Sequence, residues 1–331
     1  MISLKTTPKL NGISIQGDFD DLNHLYDALS EYTNFYIDGI MLEIESDYVK
    51  EHGIALKEMT PEQRDEYFTL NKHEIEYFEA MRENILGLCY DIRHAYQGDR
   101  GIALVENGSE LFPEYPDELP SANLQFNVPV LYPWAFYYLF ALRDMVDNMY
   151  KPTWFNGGGE YGISRSESDI HLYRGVLDTF IALLWKNLEE LFGKDYEALY
   201  TYFKYKDCFN LLDRHYLTGI CSYLVNVPDE GLSKVKYTNL KKHMLLILAY
   251  DSMDSENLYN KSFSKEPYVI ASKKSYLKAI EYVNKNTARP YVTNYDFTTK
   301  LLAFALDGNV EQAEEWINNL FGEADWDNLE W

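Results

Sequence analysis

The chain has 331 residues, more than a single hydrophobic core ordinarily organises, so two domains are expected. Hydrophobic residues make up 46%, no apolar run approaches the roughly 18–20 residues of a membrane span, and Met1-Ile2-Ser3-Leu4-Lys5 lacks a signal-peptide layout, so a soluble, cytoplasmic protein is expected and a membrane partner is not. A formal charge of −23 repels phosphate backbones over most of the surface, which disfavours nucleic-acid binding except through the basic stretch 231–300, with 12 Lys and Arg.

Lys9-Leu10-Asn11-Gly12 is a turn signal and Ile13-Ser14-Ile15-Gln16-Gly17 alternates, so the chain opens on a short strand. Asp18 then caps an amphipathic helix with acidic Asp20 and Asp21 in its first turn and Leu22, Leu25, Tyr26 and Leu29 on its apolar face. From Phe35 to Ile44 the residues fit both periods; Ile37, Ile40, Met41 and Ile44 form a helical face, and helix is the preferred reading. Thr60-Pro61-Glu62 starts another helix, and a longer one begins near Asn71. Its stripe, Ile75, Phe78, Ile85, Cys89, Ile92 and Tyr96, runs about 35 Å at ~1.5 Å per residue. Gly98 and Gly101 close it, and Ile102-Ala103-Leu104-Val105 reads as a buried strand before an Asn107-Gly108 turn. Pro113, Pro116 and Pro120 mark a loop. Leu124, Phe126, Val128, Val130 and Tyr132 then alternate with Gln125, Asn127, Pro129 and Leu131 as a strand. Pro133 ends it and opens a helix from Trp134 to Met149 that is apolar nearly all round.

Lys151-Pro152 and Gly157-Gly158-Gly159 separate two halves of different composition. Beyond them Ile170, Tyr173, Leu177, Phe180, Leu184, Leu188 and Leu191 define one long helix closed by Gly193. Helices follow over 207–225, 237–253, 272–284, 297–306 and 310–321, the last two joined by Asp307-Gly308-Asn309 as a helical hairpin. The expected fold is α+β and predominantly helical: an acidic α+β domain over 1–152, with a small β-sheet plus helices, and an all-α bundle over 153–331.

The opening residues, TPKLNGISIQGDFDDLNHLYDALSEY, resemble the start of an uncharacterised bacterial family, a domain of unknown function. The resemblance covers about the first half of the chain. It implies a bacterial or phage-related cytoplasmic protein and brings no catalytic residues with it.

Two constellations could carry chemistry. Glu167, His171, Arg174 and Asp178 fall at i, i+4, i+7 and i+11 and line one stripe of a helix, where a carboxylate and an imidazole could share a metal or a proton and Arg174 could hold an anion. An exposed, charge-paired face is the plainer reading of the same spacing. Gly157, Gly158 and Gly159 precede a helix start and could present backbone N–H groups to an anion, but the loop lacks the Lys and Ser or Thr of a phosphate-binding loop and reads better as a hinge. Asp91 and His94 form a surface pair on the long first-half helix, Asp213, Arg214 and His215 precede no nucleophile, and His243 sits among apolar neighbours. No metal and no cofactor is expected. Cys89, Cys208 and Cys221 have no paired spacing and lie in apolar helical patterns, against a disulfide framework or a zinc site.

Charge is the stronger signal. Residues 1–150 hold 27 acids against 10 bases, whereas 151–331 hold 26 against 20. With 29 tyrosines to supply amphipathic contact area, the expected function is non-catalytic binding of a basic protein partner through an acidic, tyrosine-rich surface, in an immunity-like or inhibitor role. The alternatives are a hydrolase-like enzyme with an inter-domain cleft served by the Glu167 stripe, and a self-assembling helical scaffold.

Overall fold

A computed structural model describes residues 2–106, 122–148, 166–193, 214–225, 300, 303–304, 310–322, 324, 326, 329 and 331. The fold is α+β and mainly helical. A four-stranded antiparallel sheet has the order β1-β2-β4-β3, from β1 (Ser3–Thr6), β2 (Gly12–Gly17), β3 (Ile102–Glu106) and β4 (Ala122–Leu131). The helices are α1 (Phe19–His52), α2 (Pro61–Leu70), α3 (Lys72–His94), α4 (Tyr132–Asp147), α5 (Glu167–Phe192), α6 (Arg214–Val225) and α7 (Val310–Phe321). The expected domain boundary near residue 152 and the helices expected over 237–253 and 272–284 lie outside the described residues. The chain divides into two compact units. One is Met1–Leu4, Ile15–Val128 and Tyr138–Leu183; the other is Lys5–Ser14, Pro129–Tyr137 and Leu184–Trp331.

In the first unit α1 and α3 pack antiparallel. Asp18 closes a capping box with Asp21 at the start of α1, and Gly53, at φ 74°, ends it. The helix runs unbroken through the ambiguous 35–44 segment. Tyr32, Thr33, Phe35, Tyr36 and Ile37 are all buried, so this stretch is covered on more than one side and shows no single stripe. Phe19 meets Tyr96 edge-on at 5.1 Å, the Cys89 thiol points to the Tyr26 carbonyl, Tyr36 meets Phe78, and Arg82 bonds Asp38 at 2.6 Å. Leu22, Leu25 and Leu29 of α1 and Ile85, Leu88 and Ile92 of α3 fill the core, each fully buried side chain contributing roughly 1.5–3 kcal/mol. The Cys89 thiol is pushed up to about 12, first of all by burial. It is a packing residue rather than a nucleophile.

The sheet follows the alternation of the sequence. Ile13 and Ile15 of β2 and Phe126, Val128 and Val130 of β4 are buried, while Ser14, Gln16, Gln125 and Asn127 lie on the polar face. Asn127 N–H donates to the Gly101 carbonyl, so odd-numbered residues of β3 bond β4 and even-numbered ones turn their backbone groups to the open edge. The same parity points the nitrogen of Pro129 toward the β3 side. No ladder bond is lost there, because β3 and its Gly101 extension end opposite Asn127. The strand expected over 102–105 to be buried is not buried at Ile102 and Leu104, which are 52% and 74% exposed, because β3 is the outer strand among the described residues.

In the second unit the Thr7–Gly12 turn is tied by Thr7 N–H to the Gly12 carbonyl and by Gly12 N–H to the Thr7 hydroxyl. Gly12 sits against Val130 and Leu131, where a Cβ would overlap the Val130 carbonyl, so only glycine permits the approach. The Thr6 hydroxyl meets the buried Tyr132 hydroxyl at 3.0 Å and receives Asn187 Nδ2 at 3.4 Å. Gly219 of α6 lies against the Phe321 ring of α7 just as closely. The Cys221 thiol, wholly buried, is pushed far above its usual value by that burial.

Candidate functional site

The stripe expected on α5 forms as a helical face. His171 Nε2 stands 3.9 Å from Glu167 and Arg174 Nε 3.7 Å from Asp178, and the four side chains are 51%, 67%, 25% and 56% exposed in that order. Opposite them Ile170, Leu177, Phe180, Leu184, Leu188 and Leu191 are buried. The structure thus makes one i,i+4 ion pair, Arg174–Asp178, and one i,i+4 histidine–carboxylate contact on a solvated surface, where an exposed pair is worth about 0.3–0.5 kcal/mol. Gly157, Gly158 and Gly159, Asp213 and His243 lie outside the described residues. Among the described residues no group of three His, Cys, Asp or Glu side chains is arranged to hold a metal ion.

The end of α3 carries an arrangement that the i,i+3 reading of Asp91 and His94 did not resolve. After His94 the chain makes a π-turn, Ala95–Asp99, with Gly98 at φ 94°. The wider turn brings Asp99 Oδ2 to 2.7 Å from His94 Nδ1 and Arg100 Nη2 to 2.7 Å from Asp91 Oδ1. A carboxylate can only accept, so Nδ1 carries a proton in this contact. Tyr90 packs on the His94 ring at 4.1 Å and carries the Arg93 guanidinium at 5.3 Å. Such a pair can hold and orient a proton. No nucleophile accompanies it among the described contacts.

A larger feature lies on α2 and the first turns of α3. Thr60 and Gln63 form a capping box and Pro61 takes the first helical position. Only Tyr67 of this helix is buried, set edge-on against Tyr48 of α1 at 5.0 Å. The rest faces solvent. Glu62, Asp65 and Glu66 share one face at i, i+3 and i+4, and Phe68 and Leu70 are 52% and 63% exposed beside them. The Glu62 carboxyl is held below its ordinary value by the backbone N–H of the helix start and then by the Thr60 hydroxyl. On α3, Lys72 is engaged by Glu76 at 3.7 Å, and Arg82 by Asp38 and by Glu79 at 3.6 Å. Glu74 and Glu83 stay exposed, and Arg64 is the single base of α2.

Tyrosine is distributed unevenly. Tyr32, Tyr36, Tyr48, Tyr67, Tyr132, Tyr137 and Tyr138 are buried, whereas Tyr90 is 52% exposed. Sequence reading missed the apolar component of the acidic face, Phe68 and Leu70. The signal was present in the absence of any apolar period in 61–70, which leaves such residues nowhere to pack.

No curated protein and no solved structure matches the chain. A family match runs over residues 65–231, just over half of the chain. It takes in most of α2 and all of α3, α4, α5 and α6, with β3 and β4. The opening stretch 7–32 precedes it, so the resemblance read there is right in kind, while its extent shifts from the first half to the middle of the chain. The chain belongs to the family described as Domain of unknown function (DUF6904).

Proposed function

We propose that this chain acts without catalysis, binding a basic protein through the acidic face of α2 and the start of α3. The observation that carries the reading is the exposure of Phe68 and Leu70 on α2, one turn from Asp65 and Glu66 and on the same helix as Glu62. Apolar side chains ringed by charge are the composition of docking surfaces, where the apolar residues supply affinity and the charges steer approach. Lys72 and Arg82 of α3 are engaged by acids of the same unit, so this end of the helix offers a surplus of negative charge to a partner. An inhibitor-like role, masking a cationic surface, follows from that sign. A reducing bacterial cytoplasm is the proposed setting, consistent with the unpaired thiols of Cys89 and Cys221.

The test uses the full chain as bait in two forms, wild type and the triple variant Glu62→Lys, Asp65→Lys, Glu66→Lys. Proteins captured at low and high salt are identified by mass spectrometry, and the affinity of any hit is then measured with purified components. A basic partner lost both at high salt and with the variant is the expected result, with Kd rising at least tenfold for the variant. A partner indifferent to both changes removes the proposal.

A further inference from the structure

Among the described residues β3 is an outer strand of the sheet. Its even-numbered positions, Arg100, Ile102, Leu104 and Glu106, fall on one face by the period of two, and Arg100 already has extended backbone, φ −128° and ψ 178°. Because Gly101 bonds Asn127 across the β3–β4 ladder, the N–H and C=O groups of these even-numbered residues are the ones turned to the open edge. Between Gly101 and Val105 the edge carries no charge and no proline, the usual guards of a sheet margin. Ile102, Leu104 and Leu124 expose 52%, 74% and 47% of their surface on the same face of the sheet as the buried Phe126 and Val128.

We propose that a second copy of this chain pairs with β3, antiparallel and edge to edge, through a two-fold axis. An antiparallel partner must bond even-numbered residues to even-numbered residues, which leaves three short registers, centred on residue 102, 103 or 104. Charge selects among them. Centring on Ala103 sets Arg100 opposite Glu106 of the second copy, and Glu106 opposite Arg100, at the two ends of the contact. Ile102 then faces Leu104 of the second copy, twice over. In the other two registers Arg100 or Glu106 falls opposite an apolar residue. Arg100 keeps its bond to Asp91 through one nitrogen and has further donors for a second carboxylate. The result is a continuous eight-stranded sheet in which the exposed corners of both copies adjoin on one face.

This contact is distinct from the acidic docking face, and salt separates the two. Screening weakens attraction to a basic partner but relieves the repulsion between two chains of charge −23, so self-association strengthens as salt rises.

Sedimentation velocity of the full chain over a range of concentrations tests it. The expected result is a reversible dimer, with amide exchange at Ile102 and Leu104 slowing as it forms. Leu104→Pro removes an outward N–H, leaves the β3–β4 bonds in place and abolishes the dimer. Arg100→Glu and Glu106→Arg each act at both ends of the contact and raise the dimer Kd about tenfold. The double variant Arg100→Glu/Glu106→Arg restores it, and the two single variants mixed form a heterodimer. A chain that stays monomeric at every concentration reached overturns the proposal. So does a dimer that survives Leu104→Pro, or one that the double swap fails to restore.

Discussion

Asp144 on α4 shows how one carboxyl couples the core to pH. Burial raises its pKa above the ordinary 3.8, Asp147 raises it further, and the Asn148 amide, 2.8 Å away, and Arg143 oppose the shift. Beside it the buried Tyr36 hydroxyl is pushed well above its usual value, first by burial and then by the Asp144 charge. For an acid whose folded pKa is raised, the stabilising contribution is complete below the unfolded value and is lost as pH climbs through the folded one. Asp144→Asn is therefore expected to melt with the wild type at pH 3 and about 2 °C above it at pH 7, read by thermal unfolding across that range. Equal melting temperatures at pH 7 would show that the carboxylate is adequately solvated. None of this was legible in the sequence, where Asp144 is one acid among 27 in the first 150 residues and Tyr36, whose hydroxyl feels its charge, lies more than a hundred positions away.

Among the helices of the first unit, α2 has the fewest buried side chains. Tyr67 is its one buried side chain, so Tyr67→Ala is expected to cost about 3 kcal/mol and to detach this helix before the others. Hydrogen exchange should then quicken over 61–70 while the α1 and α3 amides stay protected; uniform acceleration would mean that α2 unfolds only with the whole unit. The sequence announced α2 through Thr60 and Pro61, and α3 through its stripe, because caps and periodicity are local signals. It did not announce the burial state of β3. An apolar run reads as buried, but whether a strand lies inside a sheet or at its margin depends on strand order, which no local window contains. The His94–Asp99 pair was hidden for a related reason: a separation of five residues is out of reach in an α-helix and close in the π-turn that follows. On α5 the expected stripe was legible because helical spacing alone generates it, and for the same reason its two i,i+4 contacts say little about function.

At the scale of the whole molecule, net charge sets the response to ions. A chain of −23 repels itself in the folded state more than in the expanded one, so its melting temperature should climb between low and moderate ionic strength. Differential scanning calorimetry in sodium chloride reads this, and a melting temperature that falls with salt would show attractive pairs dominating. No helix among the described residues is long and apolar enough to cross a membrane. Pro129 has a bearing on how such a chain avoids misthreading. A β3 strand displaced by two residues toward β4's later half would set Gly101 against a position that cannot donate, and would forfeit the grip of the Asn127 amide on the Gly101 carbonyl. The imino acid is thereby a one-way stop for the nascent hairpin: sliding in that direction is penalised at its first step, before any helix arrives to judge the alignment.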